Sequence, residues 1–91
     1  MKYNVKFTSQ FKKDIKLAGN RGKNLDELFS VIETLSNGMP LEERYRDHPL
    51  KGKYSAYREC HIEPDWLLVY QKMEDCLILI LYRVGSHSDL F

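Results

Sequence analysis

The spacing of hydrophobic residues predicts a strand and a helix at the start of the chain. The segment YNVKF alternates hydrophobic and polar residues with a period of two, which is typical of a short β-strand. Further along, apolar residues recur at intervals of three or four, the spacing of one face of an α-helix. They are Phe7, Phe11, Ile15 and Ala18.

A second amphipathic helix follows the first after a short break. Thr8 or Ser9 can cap the first helix, and the segment GNRG ends it. Asn24, with Glu27 three residues later, resembles a capping box and predicts the start of the second helix, which stops at NGMP. The apolar face of this helix is formed by Leu25, Leu28, Phe29, Ile32 and Leu35.

From Tyr54 onward the pattern changes to three strands, with the sequences YSAYRECHI, WLLVYQKM and CLILILYRV. The segments EPD and ED connect them and are short enough for β-hairpins, so the three strands are predicted to form an antiparallel meander. We therefore expect an α+β fold in a single domain over residues 1–91. A small, mostly antiparallel sheet of about four strands packs on two N-terminal helices in the order β-α-α-β-β-β.

The hairpins predict which residues meet at one end of this sheet. If ED forms a two-residue turn, Trp66 lies opposite Arg83, and if EP forms the centre of the other turn, His61 lies opposite Trp66. Asp65 lies beside them. This end of the sheet is therefore predicted to gather a histidine, an acid, an aromatic residue and an arginine.

Two further histidines can reach the same end. The last strand leaves the sheet there through GSHSDLF, which keeps His87 and Phe91 within a few residues of the cluster. His48 lies in the loop segment DHPLKG, six residues before Tyr54, and an extended segment of that length spans roughly 20 Å. All three histidines of the chain could therefore meet Asp65.

Composition places this chain among small soluble domains. Its 91 residues, of which 43% are hydrophobic and 30% charged, suffice for one core only. No segment approaches the roughly 18 consecutive apolar residues of a membrane span, and no signal peptide is evident, so we expect a cytoplasmic protein without a membrane partner. Cys60 and Cys76 are too few for a disulfide framework and are expected to be reduced thiols.

The net charge of +1 conceals alternating blocks of charge. Residues 1–23 carry seven Lys or Arg against one acid, and residues 24–43 carry five acids and no Lys or Arg. Residues 44–58 are again basic and residues 59–91 acidic. A basic face would suit a polyanion, but a solvated surface of mixed charge gives the same pattern, so charge alone does not decide the function.

Three chemistries could use the histidine cluster. Three histidines and one aspartate would suit zinc, but the gaps of 12 and 25 residues between the histidines match no zinc motif, so we expect no metal or other cofactor. Cys60 could act as a nucleophile, but adjacent strand residues point to opposite faces, so His61 cannot easily activate it. The third is metal-free RNA cleavage, in which histidines serve as general base and general acid.

RNA cleavage also needs cations for the phosphate and aromatic rings for the bases. Arg83, Arg58 and Lys51 could hold the phosphate. Trp66 or Phe91 could stack on a base, as recognition of single-stranded RNA generally requires.

Three separated motifs resemble the YafQ-type branch of the RelE/ParE toxin superfamily. They are YRDHPLKG, YRECHIEPDWLLVY and RVGSHSDLF, and the resemblance extends over the whole chain in length and element order. The resemblance implies a RelE-like fold and a ribosome-dependent endoribonuclease that cuts translated mRNA. Such a protein is the toxin of a type II toxin–antitoxin pair, neutralised by a small antitoxin, and it meets DNA only indirectly, through that antitoxin.

The family's catalytic set falls on four residues of this chain, and two aromatic residues accompany it. The resemblance implies that His87 is the general acid, that His48 or His61 is the general base, and that Asp65 orients or charges a histidine. Trp66 and Phe91 are the aromatic members. The alternative within the superfamily is a ParE-like, non-catalytic toxin that binds DNA gyrase, although such a binder has no need of three clustered histidines.

Overall fold

The computed structural model describes residues 2–91 as one five-stranded sheet with three α-helices. Two single-turn 3-10 helices, Glu43–Tyr45 and Gly52–Tyr54, lie in the loops on either side of β2. The elements are β1 (Asn4–Phe7), α1 (Ser9–Asn20), α2 (Leu25–Ser36), β2 (His48–Pro49), β3 (Arg58–Glu63), β4 (Trp66–Met73), β5 (Ile78–Gly85) and α3 (His87–Leu90).

The strands are arranged in the order β1-β5-β4-β3-β2. Strands β3, β4 and β5 form the expected antiparallel meander, and β1 pairs with β5 in parallel. The predicted α+β class is thereby confirmed. A fifth strand is present because His48 and Pro49 pair with Glu59 and Arg58 of β3, a contact too short to leave a periodic pattern in the sequence.

The helices α1 and α2 cover one face of the sheet. Both begin as predicted, since the Thr8 hydroxyl accepts a hydrogen bond from the Phe11 N–H and the Asn24 side chain accepts one from the Glu27 N–H. Their apolar faces share one core with the residues of β4 that point toward them, of which Leu68 and Tyr70 are fully buried. The opposite face of the sheet is therefore left to the loops, α3 and the histidines.

The predicted register of the β4–β5 hairpin is wrong. The loop comprises residues 74–77, not a two-residue turn, and Met73 pairs with Ile78. Leu77 has a left-handed backbone with φ of 54°, which a non-glycine residue rarely adopts and which the sequence did not indicate. A bulge further along β5 completes the shift, so that Arg83 lies opposite Val69 instead of Trp66.

The predicted register of the β3–β4 hairpin is also wrong, although its position is correct. Trp66 pairs with Glu63, and His61 pairs with Leu67. An irregularity between His61 and Glu63 accounts for the difference, because it adds one residue to β3 without a partner in β4. Asp65 remains in the turn, where the side chain is exposed.

A buried carboxylate connects α1 to β5. Asp14 lies on the buried side of α1, where both of its oxygens accept hydrogen bonds. Arg83 donates from Nη2 to Oδ1 at 3.0 Å and from Nε to Oδ2 at 3.1 Å. The backbone N–H of Val84 donates to Oδ2 at 3.1 Å, and Gln10 Nε2 donates to Oδ1 at 3.1 Å. Burial of the carboxylate is thereby compensated by a full set of donors.

We predict that Asp14→Asn lowers the free energy of unfolding by about 2–3 kcal/mol, because the Arg83 guanidinium loses its counter-charge and an amide N–H₂ group meets other donors. Urea unfolding followed by circular dichroism measures the change. The matched control is Glu33→Gln, which removes a carboxylate from the exposed side of α2 and should change stability by less than about 0.5 kcal/mol. Equal effects of the two substitutions would contradict the role assigned to Asp14.

Candidate active site at one end of the sheet

The structure brings the three histidines together. His48 comes from β2, His61 from β3 and His87 from the start of α3. The ring of His61 lies between the other two, with its centroid 6.1 Å from that of His48 and 6.1 Å from that of His87. This is a row of three imidazoles across one end of the sheet.

The short helix α3 fixes the position of His87. Ser86 and Asp89 form a capping box, in which the Ser86 hydroxyl accepts from the Asp89 N–H and the Asp89 carboxylate accepts from the Ser86 N–H. Gly85 allows this helix to fold back on the strand, since a Cβ atom there would lie only 3.0 Å from the Cβ of Asp89. The last residues of the chain thereby form one helical turn over His87–Leu90.

Asp65 holds the imidazole of His87 in one orientation. Its Oδ1 atom lies 3.0 Å from the backbone N of His87 and 2.8 Å from Nδ1. The hydrogen bond from the backbone N–H, followed by the one from the side chain, lowers the pKa of Asp65. The carboxylate is therefore ionised and holds a proton on Nδ1, so that Nε2 is left to exchange a proton with a substrate.

His48 is held between two acceptors. Its Nδ1 lies 2.6 Å from the carbonyl oxygen of Arg46. Arg46 itself has a left-handed backbone conformation, with φ of 50°. The Nε2 atom of His48 lies 3.0 Å from Oε2 of Glu59, the residue opposite in the β2–β3 pair. A carbonyl oxygen and an ionised Glu59 can only accept hydrogen bonds. The contact between His48 and Glu59 therefore uses a proton that lies between His48 Nε2 and the Glu59 carboxylate.

Sequence reasoning missed Glu59. This glutamate is 6% exposed, and its Oε1 atom is buried without a hydrogen-bond partner among residues 2–91. It lies two residues before His61 on the same face of β3, a spacing that could have revealed it. One ligand atom each from His48, Glu59 and His61 lies within 4.8 Å of the others, so this trio could hold a metal ion.

The imidazole of His61 is the least constrained of the three. Its one hydrogen-bond partner in the described chain is the carbonyl oxygen of Pro64, 3.4 Å from Nδ1, which is long for a hydrogen bond. A ring held this loosely can exchange protons without first losing a strong partner. His61 is also flanked by both other histidines.

The three expected phosphate-binding cations differ in their availability. Lys51 is exposed in the loop after β2. Arg58 donates from Nε to Asp47 Oδ1 at 3.2 Å, and the remainder of its guanidinium is partly exposed. Arg83 departs from the expectation of a free cation, because Asp14 occupies two of its nitrogens and the Asp89 carbonyl lies 3.4 Å from the third.

The two expected aromatic residues have opposite environments. Trp66 is 2% exposed and belongs to the core, so its expected stacking on a base is wrong for this conformation: the strand alternation that points Leu68 at the helices also points Trp66 there. Phe91 is 58% exposed and meets the ring of Tyr54 edge-on, with centroids 5.8 Å apart. Tyr54 was not singled out from the sequence.

Cys60 is unsuited to nucleophilic catalysis. Its side chain is fully buried, and burial raises the pKa of the thiol, so the reactive thiolate does not form at ordinary pH. Among residues 2–91, no helix is long and apolar enough to cross a membrane.

Comparison with known proteins identifies the family. The family model described as the bacterial toxin of type II toxin–antitoxin systems, YafQ, matches residues 3–91. The mRNA interferase toxin YafQ of Escherichia coli K12 is 42% identical over 88 residues, which are 96% of this chain and 94% of that protein.

Solved structures agree with this match. The E. coli DinJ-YafQ toxin-antitoxin complex contains a chain that is 37% identical, with a TM-score of 0.90 over 100% of this chain and 99% of that one. A metal-bound toxin from Helicobacter pylori is 43% identical, with a TM-score of 0.92 over 98% of this chain and 99% of that one. The chain therefore belongs to the YafQ family of toxins of type II toxin–antitoxin systems.

Proposed function

We propose that this chain is an endoribonuclease that inhibits translation by cutting mRNA on the ribosome. The observation that carries the proposal is the row of three imidazoles beside Asp65, with neighbouring ring centroids 6.1 Å apart. The names of relatives that are 42% identical, which describe them as mRNA interferase toxins, support the same activity.

The reaction needs only proton transfers and charge stabilisation. A general base removes the proton from a ribose 2′-hydroxyl, and the 2′-oxygen attacks the adjacent phosphorus. The bond from phosphorus to the 5′-oxygen breaks, and a general acid gives that oxygen a proton. The products are a 2′,3′-cyclic phosphate and a 5′-hydroxyl, and the enzyme is returned to its starting state once the acid and base exchange protons with water.

The hydrogen bonds of the three histidines suggest their roles. His87 is assigned as the general acid, because Asp65 fixes Nδ1 and stabilises the imidazolium that presents a proton at Nε2. His61 is assigned as the general base, because its ring has no strong partner to displace. His48 shares its proton with Glu59 and is assigned to stabilise the negative charge on the phosphate.

The surrounding residues are assigned to binding the RNA. Lys51 and the exposed part of Arg58 supply positive charge for the backbone. Phe91 offers a ring face for a base, with Tyr54 supporting its edge. Arg83 acts mainly by holding the end of β5, since its guanidinium is engaged by Asp14.

The partners follow from the same proposal. A cognate antitoxin would neutralise the toxin, as the E. coli complex suggests by homology, and contact with DNA would be indirect, through that antitoxin. Substrate binding requires the ribosome and mRNA, so the site of action is the cytoplasm. The basic loop around Lys51 is exposed, which is consistent with a need for the ribosome to hold the RNA.

We further propose that the cleavage step uses no metal ion. Histidines supply both proton transfers, and the imidazolium and the cationic side chains supply positive charge. That a Helicobacter relative was crystallised with a metal shows binding by that protein, which is a separate matter from a catalytic need for the ion.

A ParE-like toxin that binds gyrase without catalysis is the alternative. Binding to gyrase would not require the pairing of Asp65 with His87 or that of Glu59 with His48. Membership in the YafQ family also favours the nuclease.

Cleavage is expected only on translated messages. Induction of the toxin in cells, followed by primer extension, should give cuts phased with the reading frame, and the cuts should disappear when the start codon of the reporter is removed. Cuts that persist on the untranslated reporter would argue against ribosome dependence. Inhibited DNA replication without any cuts would favour the gyrase-binding alternative.

We predict that His87→Ala reduces cleavage by about 10²- to 10⁴-fold, the usual cost of losing a general acid or base. Because the histidines act on one reaction, adding His61→Ala should cost less than the product of the two single effects. Single-turnover cleavage of ribosome-bound mRNA measures these rates. Fully multiplicative losses would indicate independent roles, and circular dichroism should show that each variant remains folded.

We predict that Asp65 stays ionised as the pH falls through the usual carboxyl range of about 4, because its pKa is lowered. The stabilisation from its contact with His87 is complete above the unfolded pKa and is lost only as the pH falls through the lower folded pKa. A ¹³C NMR titration of the Asp65 carboxyl should give a midpoint below 3.8.

The variant His87→Gln separates the two causes of this shift. It retains the backbone N–H, the larger cause, and loses the imidazole, so the midpoint should rise only part of the way. A wild-type midpoint at or above the usual value would contradict the contact.

A further inference from the structure

We propose that Arg46 binds the mRNA phosphate that lies one nucleotide upstream of the cleaved bond, in a cleft beside His61. The RNA then crosses the site with its 5′ side at Arg46 and its 3′ side at Phe91. This inference deepens the proposed function and rests on it, because it uses the roles assigned to His61 and His87.

A cleft of about 360 Å³ opens beside His61. The β3–β4 hairpin contributes His61 and Pro64 to its lining, and the loop before β2 contributes Arg46. Neither His48 nor His87 lines this cleft in the part of the chain that the structure describes. The cleft therefore meets the row of imidazoles at His61 alone.

Arg46 is the cation of this cleft that has no partner within the described chain. Its side chain is exposed, and no carboxylate of residues 2–91 lies within ion-pair distance of it. Arg44, the other cation of the lining, lies 3.3 Å from Glu27 Oε1. The one acid of the lining, Glu63, lies 3.6 Å from Lys23. An anion that enters the cleft therefore meets one free guanidinium.

The backbone of Arg46 is left-handed, with φ of 50° and ψ of 44°. This conformation brings Cβ close to the following carbonyl oxygen, so it is unfavourable for a residue with a side chain. The carbonyl oxygen of Arg46 lies 2.6 Å from His48 Nδ1, but a glycine would offer the same carbonyl without the strain. The contact with His48 therefore does not account for an arginine at this position, whereas a role for the guanidinium does.

The direction of the RNA follows from the roles of two histidines. His61, as general base, contacts the 2′-hydroxyl on the 5′ side of the cleaved bond, and His87, as general acid, contacts the 5′-oxygen of the next nucleotide. The cleft meets the site at His61, and α3 leads from His87 to Phe91. The upstream phosphate therefore lies toward the cleft, and the downstream base lies toward Phe91.

Arginine suits this phosphate, because its planar guanidinium can donate two parallel hydrogen bonds to phosphate oxygens. The upstream phosphate does not react, so the contact fixes the register of the RNA without touching the reacting atoms. Arg46 is therefore a positioning residue. Its loss should weaken binding of the RNA more than it slows cleavage in the bound complex.

The first test replaces Arg46 with glycine. Arg46→Gly removes the guanidinium, keeps the carbonyl that contacts His48 and suits the left-handed backbone, so the melting temperature should not fall. In single-turnover cleavage of ribosome-bound mRNA, the half-saturating toxin concentration should rise at least about tenfold, as expected for lost hydrogen bonds to a charged group. The maximal rate constant should fall less than about threefold. Arg46→Lys keeps the charge without the paired donors and should recover part of the binding.

The matched control is Lys72→Gln, which removes one positive charge near the opposite end of the sheet. It should keep both constants within about twofold of wild type, as is usual for surface substitutions. Equal effects of Lys72→Gln and Arg46→Gly would show that only net charge matters and would overturn the inference. A lower melting temperature of Arg46→Gly, with equal losses in both constants, would also overturn it, because Arg46 would then have a structural role.

A test without the ribosome distinguishes mRNA from ribosomal RNA as the source of the phosphate. The probe is a dinucleotide with a 2′-deoxyribose at its first position, which cannot be cleaved, and with a terminal phosphate at its 5′ end, at its 3′ end or at neither. In NMR titrations of the ¹⁵N-labelled full-length chain, the 5′-phosphate should strengthen binding about two- to fivefold, as an exposed ion pair does, and should shift the Nε signal of Arg46. With Arg46→Gly the 5′-phosphate should add nothing, and the 3′-phosphate should act equally on both proteins.

Each departure from this pattern has a distinct meaning. A gain from the 3′-phosphate that depends on Arg46 would reverse the direction of the RNA and overturn the inference, as would equal gains from the 5′-phosphate in wild type and Arg46→Gly. Weaker binding of Arg46→Gly on the ribosome alone would assign Arg46 to ribosomal RNA and overturn the contact with mRNA. A wild-type chain that cuts no mRNA would refute the proposed function, whereas the dinucleotide titration would still decide whether Arg46 binds a phosphate.

Discussion

The bidentate contact between Asp14 and Arg83 is the interaction on which the placement of the site depends. It joins α1 to the end of β5, three residues before the cap of α3. The same carboxylate receives the N–H of Val84, and Arg83 also reaches the carbonyl of Asp89 in α3. His87 is thus positioned by a polar network on the helix side of the sheet, although its own ring lies with the other histidines.

Each of the three histidines is held by a different local device. A capping box and Asp65 hold His87, a two-residue strand pairing holds His48, and the central meander holds His61. The three rings also differ in their hydrogen-bond partners. His87 contacts an ionised carboxylate, His48 shares a proton with Glu59, and His61 has a weak contact with a carbonyl oxygen. Three identical side chains can therefore serve three different purposes within one small site.

The periodicity of the sequence predicted the helices of this fold well, because each helix exposes one face and buries the other, and the strand β4, buried on both faces, was marked by its continuous apolar run. Both helix caps and the meander followed from local residue types, whereas the turn of α3 was not predicted. Register was not predictable, since it depends on the left-handed backbone of Leu77 and on two strand irregularities that residue types do not specify. The three histidines nevertheless lie together, because each of them is located at the same end of the sheet.

The environments of individual side chains were harder to predict than their positions. Trp66 faces the helices because of strand parity, which depends on the register. In the sequence, Glu59 looks like an ordinary polar strand residue. Its environment becomes clear only from the structure, in which β2 lies beside it and covers it. Arg83 reads as a free cation until the buried Asp14 is located. In each case the missing information is a contact between residues distant in sequence.

The brevity of β2 has a consequence for heat inactivation. A strand of two residues at the edge of the sheet, one of them Pro49, opens at a much lower free energy than the central strands. Each opening removes His48 from Glu59 while the core stays folded. The fraction of molecules with His48 in place therefore declines on warming before the sheet itself unfolds, and if the histidines act as proposed, cleavage is lost at a lower temperature than the fold.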